Sequence, residues 1–182
     1  MKMRTAILLL LLSLPGCDST KVDEPLTLGQ ATAVLREIVE LTIWVEEGVN
    51  MIRCPLSGGA RIVVTEKSMA SGGDTVTVFG RWTIAPDRCE IHALGDTLVL
   101  EGDPSIVFER EFRYRGFLEE GWVDMEAKGT VAWKRNDGSS GTCEVDLAVE
   151  NAEVDVRDTG RIDGALEGRL CGFDAAVHFY EL

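Results

Sequence analysis

From Gly121 to Lys134 the chain alternates without a break. Gly121, Val123, Met125, Ala127, Gly129, Val131 and Trp133 are apolar or small, while the intervening Trp122, Asp124, Glu126, Lys128, Thr130, Ala132 and Lys134 are mostly polar. Successive side chains of an extended strand point to opposite sides, so this pattern specifies one long strand with a buried face and a wet face. A helix would scatter the same apolar set around its circumference. The preceding stretch alternates too, with Ile106, Phe108, Phe112 and Tyr114 on one side and Glu109, Glu111, Arg113 and Arg115 on the other. Beyond it, Cys143, Val145, Leu147 and Val149, continued by Val154 and Val156, alternate with Glu144, Asp146 and Glu150. Pairing Gly116 with Gly121 predicts Tyr114 across from Val123, Phe112 from Met125, Arg113 from Asp124 and Glu109 from Lys128. Glu111 then faces Glu126, a repulsion eased by the diagonal Arg113. Gly129 marks a place where the strand can bend.

Period-two patterning extends over most of the chain. It predicts further strands over 60–66, 74–84, 89–93, 97–101, 105–116, 142–150, 153–158, 164–171 and 173–180. Ser71-Gly72-Gly73-Asp74, Ala85-Pro86-Asp87, Gly102-Asp103-Pro104 and Asn136-Asp137-Gly138 supply turn chemistry between them. Ahead of the strands the period is 3.6. Thr27 and Gln30 form a capping-box pair, Val34, Leu35, Ile38, Leu41 and Val45 make an apolar stripe, and Gly48 offers a stop. Arg36, Glu37, Glu40 and Glu47 fall opposite the stripe, and Trp44 lies at its margin. This predicts one helix of about twenty residues. The fold class is mainly β (α+β): a large antiparallel meander, as a curled sheet or half-barrel, packed on one N-terminal helix, or else closed as a barrel. At 182 residues the chain suits a single domain, assigned to 27–182.

The first residues carry an address. Lys2 and Arg4 precede the apolar run Ala6 to Leu12, and Ser13-Leu14-Pro15-Gly16-Cys17 follows. A basic start, a short apolar stretch and a small residue before the break form a secretory signal, too short to cross a bilayer of about 30 Å as a permanent helix. The segment Leu14-Pro15-Gly16-Cys17 resembles the lipobox of bacterial lipoproteins, with Pro15 where that family usually has Ala or Ser. The resemblance implies a signal peptide over 1–16, cleavage before Cys17, and a diacylglycerol on its thiol. It also implies attachment to a membrane of the cell envelope through that anchor. Residues 17–26 then serve as lipidated cysteine and tether. Asp18 resembles the inner-membrane retention signal of enterobacterial lipoproteins, a rule not shared by all bacteria.

Cysteine usage agrees with export. Without Cys17 the chain keeps Cys54, Cys89, Cys143 and Cys171, an even number suited to an oxidising compartment. Three connectivities are possible; sequence-near cysteines of a meander favour Cys54–Cys89 and Cys143–Cys171. Each loop would stabilise by about 3–4 kcal/mol. A four-cysteine zinc site is the alternative, but no C-x-x-C pair occurs.

Charge and motifs bound the function. Eighteen basic and 31 acidic residues give −13, and without Lys2 and Arg4 the balance is −15. That speaks against nucleic-acid backbone binding and against a polybasic hold on lipid. The two histidines, His92 and His178, each fall opposite the apolar alternation, as exposed strand residues do. No G-x-S-x-G, H-E-x-x-H or P-loop pattern occurs. Acidic residues crowd 144–163, without the spacing of a calcium loop. The expectation is therefore a non-enzymatic envelope binding or interaction module, with no metal, cofactor or catalytic residue assigned. Its alternatives are a carrier of an apolar ligand and an envelope hydrolase with paired carboxylates.

Overall fold

The structure is a computed structural model that describes residues 25–42, 45–72, 75–102, 105–115, 120–155 and 161–179. Among the described residues one helix, α1 (Leu28–Glu40), precedes ten strands: β1 (Gly48–Arg53), β2 (Ser57–Gly72), β3 (Thr75–Ala93), β4 (Asp96–Glu101), β5 (Ile106–Arg115), β6 (Glu120–Arg135), β7 (Ser140–Asp155), β8 (Arg161–Asp163), β9 (Ala165–Leu170) and β10 (Phe173–His178). All pair antiparallel in one curled sheet that does not close cleanly into a barrel, and the helix packs on it. The mainly β architecture with a single helix is the one the alternation specifies.

The sheet is built from long strands that bracket short ones. β3 pairs with β5 through Thr75–Ile84 and with β4 through Cys89–Ala93. β6 mirrors it, pairing with β5 through Glu120–Gly129 and with β4 through Ala132–Arg135. Thus β4 and β5 form one interrupted column between two continuous strands. Gly129 stands where β6 passes from β5 to β4; its φ is 141°, and a Cβ there would come within 2.4 Å of the Ser105 carbonyl oxygen. Only glycine permits that approach.

The same interruption corrects one predicted turn. Ala85-Pro86-Asp87 does not break the chain; β3 runs straight through it, with Ala60 of β2 paired to Pro86. Proline lacks an N–H, so a strand tolerates it where no ladder partner is required. Pro86 lies in the gap between the β5-paired and β4-paired stretches, and its carbonyl accepts from the Gly102 N–H at 2.8 Å. The predicted strands over 142–150 and 153–158 likewise join in β7 as far as Asp155, while 156–158 lie outside the described residues. The joined strand carries an irregularity at Asn151 (φ 54°). There the Asn151 N–H donates to Asp124 Oδ1 at 2.6 Å.

The helix is shorter than its stripe predicts. It ends at Glu40 with Leu41 as cap, and Gly48 opens β1 rather than stopping a helix. β1 has no counterpart among the strands that alternation predicts. Its residues pair with Gly59–Val64 of β2, so sheet hydrogen bonding claims a segment whose local signal is weak. Within α1 the expected box forms: Thr27 Oγ1 accepts from the Gln30 N–H, and Gln30 Oε1 accepts from the Thr27 N–H. Val34, Leu35 and Ile38 are buried against the sheet, with contacts to β3, β9 and β10.

Faces came out as predicted, but one register did not. Tyr114 pairs with Gly121, Phe112 with Val123 and Arg110 with Met125, two residues away from the expected partners. A shift of two preserves which side each residue faces and exchanges only its neighbours. Met125 and Val131 are buried while Lys128 is exposed, and Trp133 is buried while Trp122 is half-exposed.

Two disulfides staple the ends of the sheet. Cys54–Cys89 ties the β1–β2 turn to β3, and Cys143–Cys171 ties the β9–β10 turn to β7. They place the protein in an oxidising, extracytoplasmic setting. Cys171 and Gly172 form the two-residue turn between paired Leu170 and Phe173, with φ of 50° and 87°. Both central residues in the left-handed region define a type I′ hairpin turn, where glycine and asparagine are usual and cysteine is not.

Candidate functional site

Among the described residues, polar chemistry gathers at places that differ in kind, and three bear on function. The first lies at the N-terminus of α1. Gln30 is buried, and beyond its capping role its Nε2 donates to Asp96 Oδ2 at 2.7 Å while its Oε1 accepts from Arg135 Nη2 at 2.9 Å. Arg135 also pairs with Asp96 at 3.2 Å and lies over the Trp133 ring at 5.0 Å. These residues line a polar hollow of about 460 Å³ with Thr27, Thr97 and Asp137. Its donors and acceptors are largely spent on one another, so the arrangement clasps the helix to β4 and the β6–β7 turn.

The second is the outer face of β5, β6 and β7. Because of the observed register, Glu109 faces Glu126 directly and Glu111 faces Asp124. Directly opposed like charges are unfavourable. Basic neighbours offset them: Arg81 reaches Glu109 at 3.3 Å, Lys128 pairs with Glu126, and Arg113 Nη2 donates to Asp124 Oδ2 at 2.7 Å and to Asn151 Oδ1 at 2.9 Å. Bonding to Glu126 raises the Lys128 pKa, by hydrogen bond first and charge second. The expected Arg113–Asp124 pair therefore exists, formed diagonally, because Trp122 is the residue opposite Arg113. These carboxylates stand on an open, ion-paired surface. Among the described residues no group of three or more His, Cys, Asp or Glu is arranged to hold a metal ion. His92 and His178 are exposed on β3 and β10, with no described cysteine or carboxylate cluster around them.

The third centres on Arg110, which no sequence motif marks. Position 110 belongs to the inward alternation of β5, between Phe108 and Phe112, yet it is an arginine. Its guanidinium carbon lies 4.9 Å from the Trp82 ring centre and 4.7 Å from that of Phe112. Phe112 in turn stacks on Tyr114, with centroids 5.8 Å apart and planes inclined by 11°. Trp82, Arg110, Phe112 and Tyr114 thus form a continuous ladder across the inner face. Gly80, paired with Arg110, makes this possible: the Trp82 ring folds over it, and a Cβ at residue 80 would come within 2.2 Å of the ring. Burial lowers the Arg110 pKa from its ordinary value. The signal available in the sequence was the basic residue interrupting an inward run.

This ladder leads out of the sealed core. Trp82 and Phe108 are buried, whereas Arg110, Phe112, Tyr114, Val76 and Val78 are only half-buried. The inward positions of β3, β5, β6 and β7 in this region include no acidic residue, in contrast to the outer face.

Cys17, the expected lipidation site, and the whole signal segment lie outside the described residues, as does Trp44. The four remaining cysteines are all engaged in the two disulfides, which leaves no thiolate among them for nucleophilic chemistry. No helix among the described residues is long and apolar enough to cross a membrane. Comparison with known proteins finds no matching family model, no matching curated protein and no matching solved structure.

Proposed function

We propose that this protein is a lipid-anchored component of the cell envelope and a non-enzymatic binding module, with the inner face of its sheet as the working surface. The reading of export rests on the signal-like start, the lipobox-like Leu14-Pro15-Gly16-Cys17 and the two disulfides. One acyl chain alone holds a protein only marginally at a bilayer, so the diacylglycerol on Cys17 is what makes attachment stable. The tether 17–26 would then hold the domain beside the membrane.

The observation that carries the binding role is the half-buried apolar strip of Val76, Val78, Phe112 and Tyr114, continuous with the core and free of acidic residues. Half-buried aromatic side chains on the inside of a curled sheet offer apolar contact at little ordering cost, because the sheet already holds them. A binding role also accounts for the outer face: a strongly negative wet surface keeps the protein soluble beside the membrane without itself acting as a site.

Native mass spectrometry of the full-length protein extracted from its own membrane tests this. The expected spectrum shows a mature N-terminus at Cys17 with acyl mass, two intact disulfides and a retained apolar ligand. An unmodified chain beginning past Cys17 would overturn the anchor. A ligand-free protein that also fails to bind an apolar dye at Phe112 or Tyr114 would overturn the binding role.

A further inference from the structure

We infer that Arg110 is the head-group anchor of the inner face, and that the face takes an amphipathic carboxylate: an apolar chain lying over the half-buried strip with its carboxylate on the guanidinium. The inference rests on the binding role proposed above and names the class of ligand.

Four observations converge on Arg110. First, a guanidinium carries five in-plane N–H donors and no acceptor. This one lies against the Trp82 and Phe112 rings, and those cation–π contacts consume none of its donors. Second, those donors are unused: Arg110 makes no side-chain hydrogen bond and no salt bridge among the described residues, whereas Arg81, Arg113 and Arg135 are each paired with a carboxylate. Third, it is half-buried and its charge is disfavoured by burial, so a carboxylate arriving there meets a poorly hydrated cation in a low-dielectric setting. Fourth, the register row through it runs Gly80, Arg110, Met125 and Val149 across β3, β5, β6 and β7, with no acidic residue.

The cation–π contacts account for how Arg110 is tolerated on an apolar face, but they use none of its N–H donors. An arginine fork matches a carboxylate through two parallel N–H···O bonds, which fixes the head group in position. The neighbouring apolar residues then receive the chain: Phe112, Tyr114, Val76 and Val78 on one side of Arg110, Met125 on the other. Across β5 and β6 the outer face sets Glu109, Glu111, Asp124 and Glu126 against an anion, whereas the inner positions of the same strands set no acid against it. Neutral lipids lack the charge, and cationic amphiphiles would be repelled by Arg110 itself.

The test uses full-length protein in lipid nanodiscs, titrated with 2-bromododecanoate and, separately, 2-bromododecan-1-ol, which carry bromine on the carbon next to the head group and so beside Trp82 when the head group sits on Arg110. Bromine quenches indole fluorescence on contact, the Trp82→Phe variant identifies the part of the signal due to Trp82, and empty nanodiscs give the partitioning of each probe. The expected result is Trp82 quenching by the acid at a concentration about tenfold or more below that needed for the alcohol, the range of one charge-assisted pair. Arg110→Met should abolish that preference while the alcohol still quenches. Arg110→Lys keeps the charge and part of the preference, and it carries the test if Arg110→Met fails to fold. Equal quenching of wild type by acid and alcohol overturns head-group recognition and leaves the apolar site standing. An acid preference that persists in Arg110→Met also overturns it. Absence of Trp82 quenching by either probe overturns the inner face as a binding surface altogether.

Discussion

Gln30→Ala is expected to destabilise the fold by about 3 kcal/mol, far more than a helix-surface glutamine would. Three hydrogen bonds are lost together. The bond from the Thr27 N–H is neutral, at 3.0 Å, and contributes about 1 kcal/mol. The bonds to Asp96 at 2.7 Å and from Arg135 at 2.9 Å involve charged groups, for which about 1.5–3 kcal/mol each is usual. Asp96 is 46% exposed and the Arg135 side chain 11%, so screening places the two at the low end of that range. The sum, about 4 kcal/mol, falls by about 1 kcal/mol because the Arg135–Asp96 pair survives the substitution and can tighten. Thr27→Ala removes only the cap and should cost about 1 kcal/mol. Urea unfolding followed by tryptophan fluorescence, with both disulfides oxidised, gives the two losses from midpoint and slope. If Gln30→Ala costs no more than Thr27→Ala, the residue is only a capping partner and the clasp between helix and sheet does not hold.

Other outcomes follow from the same structure. Met125→Ala should cost about 2–5 kcal/mol and Glu126→Ala less than about 0.5 kcal/mol in side-by-side urea titrations; a larger loss for Glu126→Ala would mean the faces of β6 are reversed. With the Cys143–Cys171 bridge removed, Cys143→Ala/Cys171→Gly should be more stable than Cys143→Ala/Cys171→Ala by about 1 kcal/mol, because residue 171 has φ 50° in a type I′ turn; equal thermal midpoints would refute this. Glu37 has its pKa raised by burial first and by Glu40 second, so its contribution is intact below the ordinary carboxylate range and is lost as pH rises through the raised value. Glu37→Gln should therefore match wild type in acid and be the more stable protein at neutral pH, as thermal midpoints across pH 3–8 (roughly the span of carboxylate titration) would show.

Much of the architecture is determined by local pattern. Alternation assigns the inward set of β6 residue by residue, because side-chain direction in a strand is a property of the backbone and needs no partner. The capping box of Thr27 and Gln30 is legible for the same reason: its bonds span three residues. What depends on distant chain is not legible in this way. Pairing Tyr114 with Gly121 rather than Val123 keeps every face intact, so alternation is blind to it; the choice falls to packing and to the close approach that Gly129 allows beside Ser105. Pro86 carries a turn signal, yet it continues β3 because β4 and β5 leave a gap beside it. Gly48 carries a helix-stop signal, yet it opens β1 because β2 supplies hydrogen-bond partners. The site follows the same division. The sequence by itself places an arginine in an inward run of β5. Only the tertiary structure brings Trp82 of β3 across Gly80 and against Arg110, beside Phe112, since cross-strand contacts arise from register and register is a long-range property of the folded sheet.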